Sequence, residues 1–133
     1  MDVQDNGKVR RKGEDLEERL LGFAARVDKV VDALPDTRLG RHIAGQLVRS
    51  GTSPAPNYAE ACAAESKKDF IHKLGIALKE LRETRIWLRL IVKTELLPLP
   101  RLTEVIDECE QLNSRAVAHH RQIQSCSLTR LCH

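Results

Sequence analysis

The stretch SKKDFIHKLGIALKELRETRIWLRLIVK, residues 66–93, decides the fold. It opens with Ser66-Lys67-Lys68-Asp69, which has capping-box spacing with Asp in place of the usual Glu, so a helix starts there. Phe70, Leu74, Ala77, Leu81, Leu88 and Ile91 then recur at helical spacing as an inner stripe, widened by Ile71, Leu78 and Val92. The spacing predicts one long helix ending near Lys93.

On the N-terminal side, Leu16, Leu20, Phe23, Val27, Val30 and Leu34 alternate at four and three residues and predict a first helix that Pro35 ends. Asp36 then stands where an N-cap would open a second helix, which carries Leu39, Ile43, Leu47 and Val48 inward. Ser50-Gly51 offers the positive φ that closes a helix. In Thr52-Ser53-Pro54-Ala55-Pro56-Asn57, Pro54 and Pro56 fit the first turn after a Ser53 cap, where missing N–H groups cost nothing. The second helix is therefore expected to restart, kinked at Ser53-Pro54-Ala55-Pro56, and to run to about Ala64.

On the C-terminal side, Leu96-Leu97-Pro98-Leu99-Pro100 reads as a turn. Leu102, Val105, Cys109, Leu112, Ala116, His119, Ile123 and Cys126 follow at heptad spacing and predict the last helix. Four such helices joined by short links bury their stripes by returning antiparallel. The expected fold is all-α: an up-down-up-down four-helix bundle of residues 14–126, with flexible tails at 1–13 and 127–133.

Composition agrees. The 133 residues suit one domain, and 3% aromatic with 31% charged residues suits an aliphatic core under a salted surface. No run of about 18 apolar residues and no signal-peptide pattern occurs, so a cytoplasmic protein without membrane association is expected. Cys62, Cys109, Cys126 and Cys132 then read as reduced thiols.

The net charge of +3 conceals a local excess: residues 66–94 carry eight basic against three acidic side chains. Lys68, His72, Lys79, Arg82, Arg89 and Lys93 are spaced to stack along one side of the long helix. Such a stripe can follow a phosphate backbone, giving salt-sensitive, sequence-independent binding to RNA or DNA. The alternative is a solvated face whose charges pair with Glu80, Glu83 and the acidic first and fourth helices. No aromatic residues accompany the stripe for base stacking.

Ile76, Ile86, Trp87 and Leu90 lie off the inner stripe, and Trp87 and Leu90 in particular suggest a homo-oligomer interface. Asn57 and Glu60 read as structural, with Asn57 bonding free backbone groups and Glu60 pairing with an arginine across the bundle. His119, His120 and His133 with the cysteines lack zinc spacing, and a single Asp69-x-x-His72 is no di-iron site. Phosphate loops, dinucleotide fingerprints, metalloprotease helices and nucleophile elbows are absent. No catalytic residue, metal, cofactor or small-molecule substrate is therefore expected.

Several segments resemble the four-helix-bundle family first noticed as proteins encoded in intervening sequences of bacterial 23S rRNA genes. They are Gln46-Leu47-Val48-Arg49-Ser50-Gly51-Thr52-Ser53, Asn57-Tyr58-Ala59-Glu60-Ala61, Ala64-Glu65-Ser66, Asp69-Phe70-Ile71-His72-Lys73-Leu74, Ile76-Ala77-Leu78-Lys79-Glu80 and Glu83-Thr84-Arg85-Ile86-Trp87-Leu88. The chain departs from the family pattern in carrying two prolines, Pro54 and Pro56, in the break. The resemblance implies an up-down-up-down bundle that assembles into a ring-like homopentamer. A more distant look-alike, the accessory protein of diversity-generating retroelements, is a similar pentameric bundle that binds nucleic acid through basic residues; it extends the nucleic-acid expectation by analogy of fold.

Overall fold

The computed structural model describes the backbone of residues 12–131 and the side chains of residues 15–126. Five α-helices and one short 3₁₀ turn follow in order: α1 Lys12–Ala33, α2 Arg38–Thr52, α3 Pro54–Cys62, α4 Lys67–Lys93, the turn Leu99–Arg101 and α5 Thr103–Leu131. No strand occurs among the described residues. Two helices, α2 and α3, together make the second leg, so the molecule is a four-helix bundle. Ion pairs give the sense of the legs. Asp15 pairs with Arg115 and Arg19 with Glu108, so α1 and α5 run in opposite directions. His42 meets Trp87 while Arg49 meets Glu80, and Glu60 meets Lys73, which sets α2 and α3 against α4 in the same way.

The long helix follows its sequence. Ser66 has extended backbone and its hydroxyl accepts from the Asp69 N–H at 3.1 Å, capping α4. Leu74, Ala77, Leu78, Leu81, Leu88 and Ile91 are buried, while Phe70 is half-buried in an edge contact with His119, ring centres 5.5 Å apart. Thr84, absent from any apolar pattern, is also fully buried. Its hydroxyl bonds the Glu80 carbonyl at 2.8 Å and the buried Ser50 hydroxyl at 2.9 Å, so neither polar group is left unmet where α2 crosses α4.

At α2 the expectations change. Thr37, not Asp36, is the N-cap: its Oγ1 accepts from the Gly40 N–H at 3.0 Å, while Asp36 turns outward to Arg41 at 2.8 Å. Gly40 suits that cap because a Cβ there would lie 2.1 Å from the Pro35 carbonyl oxygen. The α2 stripe that meets α1 and α4 is Gly40, Ile43, Leu47, Ser50 and Gly51. Leu39 and Val48, expected inside, are 37% and 38% exposed. Three small residues, Gly40, Ser50 and Gly51, share that line with Ile43 and Leu47.

Gly51 does not end the helix either, since α2 continues through Thr52. It is a close-approach glycine: a Cβ there would sit 2.7 and 2.9 Å from the two γ-carbons of Val27 on α1. Ser53, expected as an N-cap, has helical dihedrals and makes no side-chain cap bond to α3, while its N–H donates to the Arg49 carbonyl of α2 at 3.2 Å. The third residue of α3 is Pro56, which has no N–H to donate to a cap. Asn57 repairs the junction instead, its amide reaching the Ser53 carbonyl at 3.0 Å and hydroxyl at 2.9 Å. The second leg stops at Cys62, short of Ala64.

In α5 the buried stripe runs from Leu102 through Cys109 to Ala116, then fades. His119 and Ile123 are half-buried and Cys126 is exposed. Helix also passes both proposed tail boundaries, beginning at Lys12 and reaching Leu131; the remainder of those tails lies outside the described residues. Extending an existing helix adds a hydrogen bond for each residue fixed, so helix can continue past the last core contact.

Burial makes Cys109 a pH-sensitive part of this core. It has no exposed surface, its thiol donates to the Leu81 carbonyl at 3.5 Å, and burial pushes it up to about 12 against a partial opposing pull from Arg85. An unfolded thiol ionises near pH 8.5. A folded-state value above the unfolded one means that stability is complete below about pH 8.5 and is lost as pH rises toward the folded value. Urea unfolding at pH 9.5 should therefore show a loss of about 1.4 kcal/mol relative to pH 7.5, most of it removed in Cys109→Ala. Equal pH dependence in the two proteins would contradict this assignment.

Candidate nucleic-acid interface

The outer face of α4 follows from the inner one. With Leu81, Thr84, Leu88 and Ile91 committed to the core, helical geometry turns Lys68, Lys79, Arg82, Arg89 and Lys93 to the opposite side, and all five are exposed. His72 joins them. Arg82 and Arg89 are seven residues apart, two turns, and Lys79 and Lys93 extend the same line at each end.

The acids expected to neutralise this line are engaged elsewhere. Arg49 of α2 pairs with Glu80 at 2.9 Å and with Glu83, and Glu83 also accepts from the Trp87 indole N–H at 3.0 Å. Arg85 faces α5 and pairs with Glu110 at 3.5 Å. Among the described residues, no carboxylate lies within ion-pair distance of Lys68, Lys79, Arg82, Arg89 or Lys93. Their charge is thus free for an external anion.

The apolar residues off the inner stripe separate. Trp87 is half-buried on the α2 side, its ring 5.7 Å from His42 in an edge contact, and Leu90 is half-buried against the core. Ile76 is also half-buried. Ile76, Trp87 and Leu90, from which an oligomer interface was expected, are thus partly covered within their own bundle and partly open, with Glu83 and His42 giving the indole a polar and an aromatic neighbour. Ile86 is the residue left out, 53% exposed. It stands four residues after Arg82 and three before Arg89, at the centre of the basic line. That position was readable from spacing alone; what hid it was the greater weight that a tryptophan carries in a sequence.

Glu60 pairs with Lys73 of α4 at 2.8 Å, not with an arginine. Asn57 and Ser53 serve the α2–α3 junction. No group of three metal-binding side chains occurs among the described residues, and Cys62, Cys109 and Cys126 are free thiols. No helix of the described residues is long and apolar enough to cross a membrane.

The sequence profile described as 23S rRNA-intervening sequence protein matches residues 16–118, which takes in α1 through most of α5. The chain belongs to this family. The intervening-sequence family match is joined by a solved structure: a protein of unknown function from the S23 ribosomal protein family of Bacteroides thetaiotaomicron is similar at 32% identity and a TM-score of 0.77. The similarity covers 84% of this chain and 99% of that one. No curated protein matches significantly. The bundle is thus a shared frame of the intervening-sequence family.

Proposed function

We propose that this protein is a non-enzymatic, oligomeric bundle that binds the phosphate backbone of RNA or DNA through the outer face of α4. Arg82 and Arg89 form the centre of the contact, with Lys79, Lys93 and Lys68 extending it. The observation that supports this reading is the line of exposed cations without carboxylate partners, beside glutamates held by Arg49. Fixed, unpaired cations at two-turn spacing neutralise successive phosphates and release their counterions. The homopentamer is part of the same proposal: repeating the face around a ring would multiply the contacts on one strand.

Ile86 supports a second reading, in which the same face is a protein-binding surface with an apolar centre and a charged rim. Salt separates the two. Binding of labelled structured RNA and duplex DNA, measured from 50 to 300 mM salt with mass by light scattering in the same buffer, should fall steeply. Four phosphate contacts on one duplex correspond to a log–log slope of about −3.6. A flat salt response, or no binding at 50 mM, would remove the nucleic-acid reading; a strictly monomeric mass at micromolar concentration would remove the ring.

A further inference from the structure

A pocket of about 300 Å³ opens at the end of the bundle where the α1–α2 and α4–α5 links lie. Its floor is apolar and comes from three parts of the chain: Val30 of α1, Leu97 of the link after α4, and Val105 of α5, all buried. Its rim is cationic. Arg26 and Lys29, one turn apart on α1, face the pocket with Arg101 of the 3₁₀ turn, and Glu104 is the single lining carboxylate. None of the four has an ion-pair partner among the described residues.

We propose that this pocket binds a small organic phosphate, with the phosphate between Arg26, Lys29 and Arg101 and the organic body against the apolar floor. The charge count selects the headgroup. Three cations against one carboxylate leave two positive charges, which a phosphomonoester approaching two negative charges at neutral pH offsets and a lone carboxylate does not. Two guanidinium groups add the planar donor forks that match phosphate oxygens. The volume, at the lower end of small-ligand pockets, suits a monophosphate. The apolar floor and the different residues distinguish the site from the α4 line, so the proposal stands apart from the backbone-binding reading. A nucleoside monophosphate and the 5′-phosphorylated end of a strand share this chemistry.

The test is calorimetric titration of the full chain with adenosine 5′-monophosphate, adenosine and inorganic phosphate. Saturable binding of the monophosphate is expected, with inorganic phosphate at least tenfold weaker and adenosine silent. Arg26→Gln/Arg101→Gln, both surface positions, should weaken the monophosphate at least tenfold with an unchanged circular dichroism spectrum, and Lys29→Gln alone should weaken it less. Arg82→Glu/Arg89→Glu should leave it unchanged. Titration of the Arg82→Glu/Arg89→Glu protein with a short oligonucleotide bearing a 5′-phosphate or a 5′-hydroxyl then assigns the source: preference for the phosphorylated over the hydroxyl strand points to a strand end, equal binding of the two to a free nucleotide. No monophosphate binding at millimolar concentration, equal binding of adenosine, or binding that survives Arg26→Gln/Arg101→Gln would overturn the proposal.

Discussion

Arg82→Glu/Arg89→Glu is expected to weaken binding to duplex DNA or structured RNA on the order of a hundredfold or more at 50 mM salt, with the fold intact. Each substitution removes one phosphate contact and places a like charge in its stead. A unit charge about 4 Å from a phosphate in water interacts by about 1 kcal/mol, so each reversal shifts the energy by about 2 kcal/mol before screening. Two reversals give about 4 kcal/mol, which the salt reduces toward 3. The salt slope should also become shallower by about 2, since two fewer counterions are released.

Both side chains are exposed and unpaired, so stability should move by no more than about 0.5 kcal/mol. Anisotropy titrations at three salt concentrations, with thermal melts of the same preparations, check both parts. The variant Ile86→Ser separates the readings of the face: it should leave backbone binding nearly intact, whereas an apolar partner would be lost. Unchanged affinity in the double reversal would assign the stripe to solvation.

The second large effect is a difference in sign between two glycines on one helix. Replacing glycine by alanine inside a helix normally gains about 1 kcal/mol, because glycine loses the most backbone freedom on folding. Gly45 has nothing within 4 Å of the position a Cβ would take, and Gly45→Ala should realise that gain. At Gly51 the same methyl would meet both γ-carbons of Val27, at 2.7 and 2.9 Å, and its β-carbon at 3.1 Å. Val27 is fully buried and β-branched, so it has little room to rotate away.

Overpacking of this kind costs about 1–3 kcal/mol, which outweighs the helical gain. Gly51→Ala should therefore lower stability by up to about 2 kcal/mol, and the two variants should differ by roughly 1–3 kcal/mol. Denaturant unfolding reads this directly. In a double-mutant cycle, Val27→Ala should cost less in the Gly51→Ala background than alone, because it clears the space the new methyl needs. Stabilisation by Gly51→Ala, or additivity with Val27→Ala, would show that α1 and α2 do not pack through this contact.

These cases mark where the sequence was legible. Ser66 caps α4 by accepting from the Asp69 N–H, one half of the capping box their spacing predicts, and the apolar period places Leu74, Leu81, Leu88 and Ile91 in the core. Helix class and the four legs follow from period and proline alone, because a stripe at 3.6 residues must be covered whatever covers it. The five stripe cations are exposed for the same reason: they occupy the side that the core leaves over. The cap at Thr37 is less legible, since neighbouring Asp36 and Thr37 are both good caps and only the path of the chain chooses between them.

What the sequence by itself determined was which face of each helix is apolar, and hence that four helices form a bundle with a basic outer edge on α4. What only the tertiary structure decided was which residues meet across helices. Arg49 draws Glu80 and Glu83 away from the stripe, Trp87 turns in beside His42 while Ile86 stays out, and Gly51 lets α2 close on Val27. Arg26, Lys29 and Arg101, more than seventy positions apart at the extremes, come to one pocket only because α1 and the turn before α5 share an end. The physical reason is range. Helical periodicity reports neighbours three or four residues apart, whereas ion pairing, close approach and pocket formation depend on distances in space that no local spacing encodes.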